Sequence, residues 1–378
     1  MRYRRFGRTN LQLSTFTLGT MRYLESQANA IATIRAAVDR GINHIETARG
    51  YGQSEVFLGA ALADGLPRDR VFITTKIPPT PDKSATARAI DESLDRLRTD
   101  CIDNLALHGV NTAEHLAWIR EPDGCMAALT EAVAAGKIRN LGFSTHGSRE
   151  LIREAIALPA FSFVNLHYYL FFQRHAPLLG EIRSRDLGLL IISPVDKGGQ
   201  LFAPPKTLVA RCAPLSPLGL NYRFLLSDPR VTTLSLGAAN PEELDAPLAW
   251  ADATEPLTDE EREILARLDR AERESLGSDR CAQCYECLPC PEGINIPEVL
   301  RLRNLAVGHD MVGFGQYRYR MFENAGHWFP GRRGHRCSDC GDCLPRCPEG
   351  LEIPRLLRDT HVRLNTDRRR RLWGDDDR

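Results

Sequence analysis

This chain lacks an excess of charge of either sign. Its 378 residues carry 49 basic and 49 acidic side chains, a formal net charge of zero. Overall charge therefore gives no argument for a nucleic-acid partner. The concentrated charge at 367–378, Asp-Arg-Arg-Arg-Arg-Leu-Trp-Gly-Asp-Asp-Asp-Arg, is mixed in sign and reads as a solvated end. The N-terminal Met-Arg-Tyr-Arg-Arg-Phe-Gly-Arg lacks the apolar core of a signal peptide. No run of about 18 apolar residues exists, so no membrane partner and no membrane-spanning helix are expected. A cytoplasmic protein is the expectation. Also missing is an early Gly-x-Gly-x-x-Gly turn, which weighs against a doubly wound dinucleotide-binding sheet.

What is present is a regular alternation of short apolar runs and helical patterns through residue 254. The expected strands are Leu13–Thr20, His44–Ala48, Val71–Lys76, Asp103–His108, Ile138–Thr145, Phe161–Tyr168, Leu187–Pro194 and Val231–Gly237. Between them, Ser84–Leu97 places Ala87, Ile90, Leu94 and Leu97 on one face at helical spacing. Cys125–Ala135 and Pro241–Ala253 read the same way, with Gly136 as a helix stop. Eight strand–helix units predict an α/β fold of the (β/α)8 TIM-barrel type. Thr258-Asp-Glu-Glu261 is a capping box ahead of a helix to about Glu274. Beyond Ser275 the composition shifts to Cys, Arg, Gly and Pro, and Ile296–Val307 reads as a helix. The expected division is a barrel over 1–275 and a small, mainly helical domain over 276–378.

That second region holds eight of the 11 cysteines, in two runs. The first is Cys281, Cys284, Cys287 and Cys290; the second is Cys337, Cys340, Cys343 and Cys347. Each run ends in Cys-Pro-Glu-Gly and leads into Ile-Asn-Ile-Pro or Leu-Glu-Ile-Pro, an internal duplication. In a reducing compartment such clusters read as metal binding before disulfides. The second run has the Cys-x2-Cys-x2-Cys-x3-Cys-Pro spacing of two-cluster ferredoxins. In such modules three cysteines of one run hold one cluster and the fourth crosses to the other. The expectation is thus Cys281, Cys284, Cys287 and Cys347 on one [4Fe–4S] cluster, and Cys337, Cys340, Cys343 and Cys290 on the second. Two structural zinc sites are the alternative, because four-cysteine zinc sites also use Cys-x-x-Cys. The long, helical spacer between the runs resembles α-helical ferredoxin domains. Cys101, Cys125 and Cys212 stand alone and read as buried or incidental thiols.

Barrel enzymes carry catalytic groups at the C-terminal ends of strands. Glu46 lies toward the end of the second expected strand, Lys76 and His108 end the third and fourth, and Tyr51 follows Glu46 in its loop. The loop Glu46-Thr-Ala-Arg-Gly-Tyr51-Gly-Gln-Ser-Glu55, with Leu58-Gly59, resembles the signature of the aldo-keto reductase family. Thr-Thr-Lys76, Leu-Ala-Leu-His108, Ile138-Arg-Asn-Leu-Gly-Phe-Ser144 and the opening Tyr-Arg-Arg-Phe-Gly-Arg-Thr-Asn fit in order and spacing. The cysteine runs, with Gly-Phe-Ser-Thr-His146-Gly, resemble the branch of that family with a ferredoxin-like extension.

The resemblance implies hydride transfer between NADP or NAD and a carbonyl carbon, with Tyr51 as proton donor. Lys76 would favour the phenolate, and His108 would orient the substrate oxygen. Glu46 stands where the family has aspartate. The resemblance assigns nucleotide contacts to Gly19, Thr20, Met21, Ser144, Asn165, Ser193, Gly237 and Asn240. Ala239 and Pro247 replace the family's basic residue and asparagine, and Ile192 stands where an aromatic often stacks. Lys197 and Gly198-Gly199 are further candidates for phosphate contacts.

Three functions remain open on the sequence. One is an NAD(P)H-dependent carbonyl reductase or alcohol dehydrogenase whose clusters build the extension. Another is an iron–sulfur redox enzyme whose clusters relay electrons between a partner protein and a barrel-bound substrate. The third is a non-catalytic electron carrier or redox sensor. The aromatics Trp118, Tyr169, Phe171, Phe172 and Phe202 are candidates for lining a substrate pocket, with ordinary packing as the competing role.

Overall fold

A computed structural model describes residues 1–22, 26–196 and 200–366. Lys197, Gly198 and Gly199, and the charged stretch 367–378, lie outside the described residues. A short antiparallel hairpin comes first, β1 (Tyr3–Arg5) with β2 (Gln12–Ser14). Then follow β3 (Phe16–Gly19), β4 (His44–Glu46), β5 (Phe72–Ile77), β6 (Ile102–Leu107), β7 (Ile138–Thr145), β8 (Phe163–His167), β9 (Gly188–Ile192) and β10 (Thr233–Leu236). These eight are parallel neighbours in sequence order, and β10 closes on β3. The chain is a (β/α)8 barrel with helices between its strands. Each expected strand is present. The first is split, because Leu13 and Ser14 pair in the hairpin and a new strand starts at Phe16.

The barrel strands are buried on both faces, as parallel strands under helices must be. Phe6, from the hairpin turn, is fully buried and packs on Phe163 at the start of β8, with ring centroids 5.4 Å apart. A Cβ on Gly188 would come within 2.4 Å of the Phe6 ring, so only glycine fits at the start of β9. The hairpin thus closes the N-terminal end of the barrel. The other end is left to the loops that follow the strands.

Helix Lys83–Leu97 buries Ala89, Ile90, Leu94 and Leu97 and is capped by the Asp82 side chain on Ala85 N. It packs backbone to backbone on helix Ser54–Ala63, where a Cβ on Gly59 would stand 2.1 Å from Arg96 O. The expected helix Pro241–Ala253 is instead a 3-10 turn, Pro241–Leu244, and a short helix, Asp245–Leu248. Pro241 and Pro247 supply no N–H, which limits regular helix here.

By compactness the chain forms two units. The first comprises 1–194 and 222–256 and holds the barrel; the second comprises the described residues of 195–221 and 257–378. The helix Asp259–Leu276 carries both arms of the Thr258/Glu261 capping box and groups with the cysteine-bearing residues. Helix Ile296–His309 is the centre of this unit, buried on nearly every face. Its buried charges are paired: Arg301 with Glu298 at 2.6 Å, and Arg303 with Asp359 at 2.7 Å and Asp279 at 3.2 Å. Unpaired, such groups would cost several kcal/mol each. Among the described residues no helix is long and apolar enough to cross a membrane.

Candidate active site and cluster cysteines

Glu46 is the last residue of β4, and Lys76 is the penultimate residue of β5, its paired neighbour. Tyr51 lies in the turn after β4, and His108 directly follows β6. Adjacent parallel strands therefore bring four separated residues to one end of the barrel. Lys76 Nζ donates to the Glu46 carboxylate, to Thr47 O at 2.8 Å and to the Tyr51 hydroxyl at 3.3 Å. The ammonium also lies 4.8 Å from the Tyr51 ring centroid. The His108 ring meets Tyr51 edge-on, centroids 5.6 Å apart.

The longer glutamate has room. A Cβ on Gly19 would meet Ser235 Oγ at 2.6 Å and Glu46 Oε2 at 3.4 Å. Glycine at the end of β3 leaves that space to the carboxylate, which also accepts from Ser235 Oγ at 3.3 Å. Thr47 and Ser235 were not singled out by sequence reasoning. The Thr47 contact runs through a backbone carbonyl, and Ser235 has no motif of its own.

Burial sets the protonation states. Glu46 and Lys76 are 3% and 1% exposed. Desolvation holds the Lys76 ammonium well below its usual pKa and pushes the Tyr51 phenol up. The Tyr51 phenol therefore stays protonated at neutral pH, with the Lys76 amine within hydrogen-bond reach of its oxygen.

The expected nucleotide residues are spread around the same end. Thr20 is buried and bonded to Glu46 O through N at 3.0 Å and Oγ1 at 3.1 Å. Met21 is exposed, and Ser193 adopts φ +49°. Ser144 Oγ accepts from Gly109 N at 3.0 Å. Asn165, on the neighbouring strand β8, is fully buried with neither Oδ1 nor Nδ2 hydrogen-bonded. A buried primary amide without partners is costly. It presents a donor and an acceptor, the complement of another primary amide such as a nicotinamide carboxamide. The residues present fit that group. Gly237 O accepts from Arg22 Nη1 at 2.9 Å, and Asn240 Oδ1 caps the following turn at Glu243 N, 3.1 Å. Of the pocket aromatics, Tyr169 and Phe172 are buried and stack on His167, which is packing rather than an open lining.

In the second unit the two cysteine runs have matching backbones. Gln283 and Tyr285 in the first, and Asp339 and Gly341 in the second, occupy corresponding left-handed conformations. Gly293 and Gly350 do so after each run, ahead of helices Ile296–His309 and Ile353–Leu364. Left-handed non-glycine residues cost about 1 kcal/mol or more each, so these loops are wound tightly by what surrounds them. Cys281 has Cys284 and Cys347 as its charge neighbours. Cys343 has Cys337, Cys290 and Cys340. Cys287 lies near Cys281 and Cys284, and also Cys343. Cys290, Cys337, Cys340 and Cys343 line one cavity, with Ile296, Pro354 and Leu357. Burial pushes the Cys281 thiol up to about 11 and Cys287 up to about 12; ligation by iron would reverse this by binding the thiolate.

Among the described residues no group of three or more His, Cys, Asp or Glu side chains is arranged to hold a single metal ion. Outside the two runs, Cys212 and Cys125 are buried, and burial pushes Cys212 up to about 11 and raises Cys125, so neither has the lowered pKa of a reactive thiol.

Residues 15–203 match the model of the aldo/keto reductase family. The chain belongs to the aldo-keto reductases. Residues 280–351 match the 4Fe-4S dicluster domain, so this family member carries a C-terminal iron–sulfur module. It is 34% identical over 160 residues to 6-dehydroglucose reductase of Novosphingobium aromaticivorans, covering 38% of this chain and 51% of that protein. The match therefore spans about half of that relative's length. It is 25% identical over 302 residues to the uncharacterized oxidoreductase YqkF of Bacillus subtilis, covering 70% and 95% of the two chains. The solved aldo-keto reductase AKR11C1 of Bacillus halodurans, in its holo form, superposes with a TM-score of 0.62 at 25% identity. That superposition covers 71% of this chain and 96% of the other. An aldo-keto reductase with an iron–sulfur domain is an oxidoreductase.

Proposed function

We propose that this aldo-keto reductase carries out NAD(P)H-dependent reduction of a small-molecule carbonyl, or the reverse oxidation of an alcohol, at the barrel end that holds Tyr51. A bound nicotinamide supplies or accepts the hydride. Tyr51 gives its phenolic proton to the carbonyl oxygen. Lys76, 3.3 Å from that hydroxyl, stabilises the phenolate, and Glu46 holds Lys76 in place. His108, against the Tyr51 ring, orients the substrate oxygen. Asn165 and Ser144 take the carboxamide. The observation that carries this reading is the Lys76 ammonium, bonded at once to Glu46 and to Tyr51.

The cysteines are proposed to hold two [4Fe–4S] clusters, one on Cys281, Cys284, Cys287 and Cys347, the other on Cys337, Cys340, Cys343 and Cys290. Such clusters exchange single electrons. The cluster domain is proposed to include the helix Asp259–Leu276 as well as 276–378.

The test is an anaerobic titration of the reconstituted protein with NADH or NADPH, following nucleotide binding and cluster absorbance together. Nucleotide binding without bleaching, plus carbonyl turnover, is expected. Turnover driven only by a chemical or protein reductant, with no nucleotide binding, would replace this reading with electron relay through the clusters.

A further inference from the structure

The two cysteine runs are duplicates in sequence and in backbone, yet they differ in what faces their first sulfur. Gln283 follows Cys281 by two residues, and Asp339 follows Cys337 by two. Both are left-handed, at φ +61° and +58°. The Gln283 side chain turns back on its own loop. Its Nε2 donates to Cys281 Sγ at 3.2 Å and to Pro297 O at 2.9 Å. The backbone N–H of Gln283 is a second donor to the same thiolate.

Chemistry fixes the direction of that amide. Two acceptors, a sulfur and a carbonyl oxygen, face one NH2 group, and both of its N–H bonds are used. Turned over, the amide would set its oxygen against both acceptors. Gln283 Oε1 is buried with no hydrogen-bond partner, a cost carried by this orientation. Cys281 itself is held from helix Ile296–His309. The buried Asn304 accepts from Cys281 N at 3.4 Å through Oδ1 and donates to Cys281 O at 2.9 Å through Nδ2. In the second run the matching side chain cannot donate, because an ionised carboxylate only accepts. Asp339 turns to Arg358, whose Nη1 donates to its two oxygens at 2.6 and 2.9 Å.

Thiolates gather around each run, the donor set of an iron–sulfur cluster. Hydrogen bonds to the sulfurs are among the levers that set a cluster's potential. The sign follows from charge. Reduction adds one electron to the cluster and its ligands, so the reduced form holds an N–H donor more tightly. Such a donor therefore raises the potential. We propose that Gln283 is the residue that raises the reduction potential of the cluster bound by Cys281, and that Asp339 leaves the second cluster without such a donor. The inference rests on the reading that the runs hold two clusters. It stands whichever fourth cysteine serves each one.

The experiment is a mediator-poised titration of the reconstituted full chain with dithionite, read by electron paramagnetic resonance and iron analysis. Each cluster takes one electron from dithionite. Wild type, Gln283→Leu and Gln283→Glu are compared, and Cys284→Ala identifies which signal belongs to the Cys281 cluster. Gln283→Leu should make reduction of that cluster about fivefold less favourable, the weight of one hydrogen bond, a fall of about 40 mV for a one-electron couple. Gln283→Glu should lower the potential further, because it also sets a negative charge beside the thiolate. The second cluster should keep its potential in both variants. Unchanged potentials at full iron content overturn the inference and leave the two-cluster reading standing. So does equal movement of both clusters, which marks a general loosening of the domain. If both variants lose the first cluster, Gln283 serves assembly rather than tuning, and the inference fails. Wild type that takes up fewer than two clusters overturns the two-cluster reading and the inference with it.

Discussion

Lys76 Nζ lies 3.3 Å from the Tyr51 hydroxyl although the two residues are 25 positions apart and sit on different strand–loop units. The ammonium is almost fully buried, and the phenol is held neutral by desolvation. In the proposed reaction Tyr51 gives the proton and Lys76 stabilises the phenolate that remains.

Removing that proton tests the role directly. Tyr51→Phe keeps the ring that meets His108 and loses only the hydroxyl. Turnover should fall by about 10²- to 10⁴-fold, the usual weight of a general acid, with nucleotide binding retained. Steady-state kinetics and calorimetry on one preparation check this. Wild-type turnover in Tyr51→Phe would sink the assignment.

Glu46 is tied both to charge and to length. Glu46→Gln leaves Lys76 buried without a counter-charge, which should cost about 3–5 kcal/mol of stability and most of the activity. Glu46→Asp keeps the charge but draws the carboxylate back from Ser235. It should be milder in stability yet still slower than wild type, because small misplacements of catalytic groups are expensive. Denaturant titration and kcat separate the two effects. An aspartate variant faster than wild type would show that the site is not built around the longer side chain.

His44 predicts a pH effect on folding. Its ring is fully buried between Thr17 Oγ1 and Thr74 Oγ1, each 2.7 Å away. Burial first, then the Lys76 charge, lower its pKa from the ordinary 6.5 to about 3. In that window the unfolded chain binds more protons than the folded one. The stability contributed by neutral His44 is therefore present above about pH 6.5 and lost as pH falls, by at most about 1.4 kcal/mol per pH unit. The melting-temperature difference between wild type and His44→Gln should shrink from neutral pH toward about pH 5. A difference independent of pH would exclude this titration.

The cysteine grouping predicts which iron each substitution removes. Cys347→Ser should damage the cluster of Cys281, Cys284 and Cys287, and Cys290→Ser the cluster of Cys337, Cys340 and Cys343. Each variant should lose roughly half of its iron, with different electron paramagnetic resonance signals remaining after reduction. The same signal surviving in both variants would mean that the fourth ligands do not cross between runs.

The sequence by itself determined the features that repeat locally. The alternation of apolar runs and amphipathic helices set eight strand–helix units, since each period reflects one face turned to a core. The duplicated cysteine runs marked the iron–sulfur module, and the loop from Glu46 to Tyr51 marked the candidate site. What depended on distant parts of the chain was not legible. The hairpin that puts Phe6 under Phe163 needs the start of β8 and β9 to be in place. Proline interrupts the expected helix at 241–253, and the described residues of 195–221 group with the cysteine-bearing unit rather than with the barrel. The Ser235 contact to Glu46 and the unpartnered amide of Asn165 are products of β4, β8 and β10 meeting in one closed sheet. Closure brings residues of remote sequence position within hydrogen-bond range, and no local pattern encodes which side chains will then share a proton or a charge.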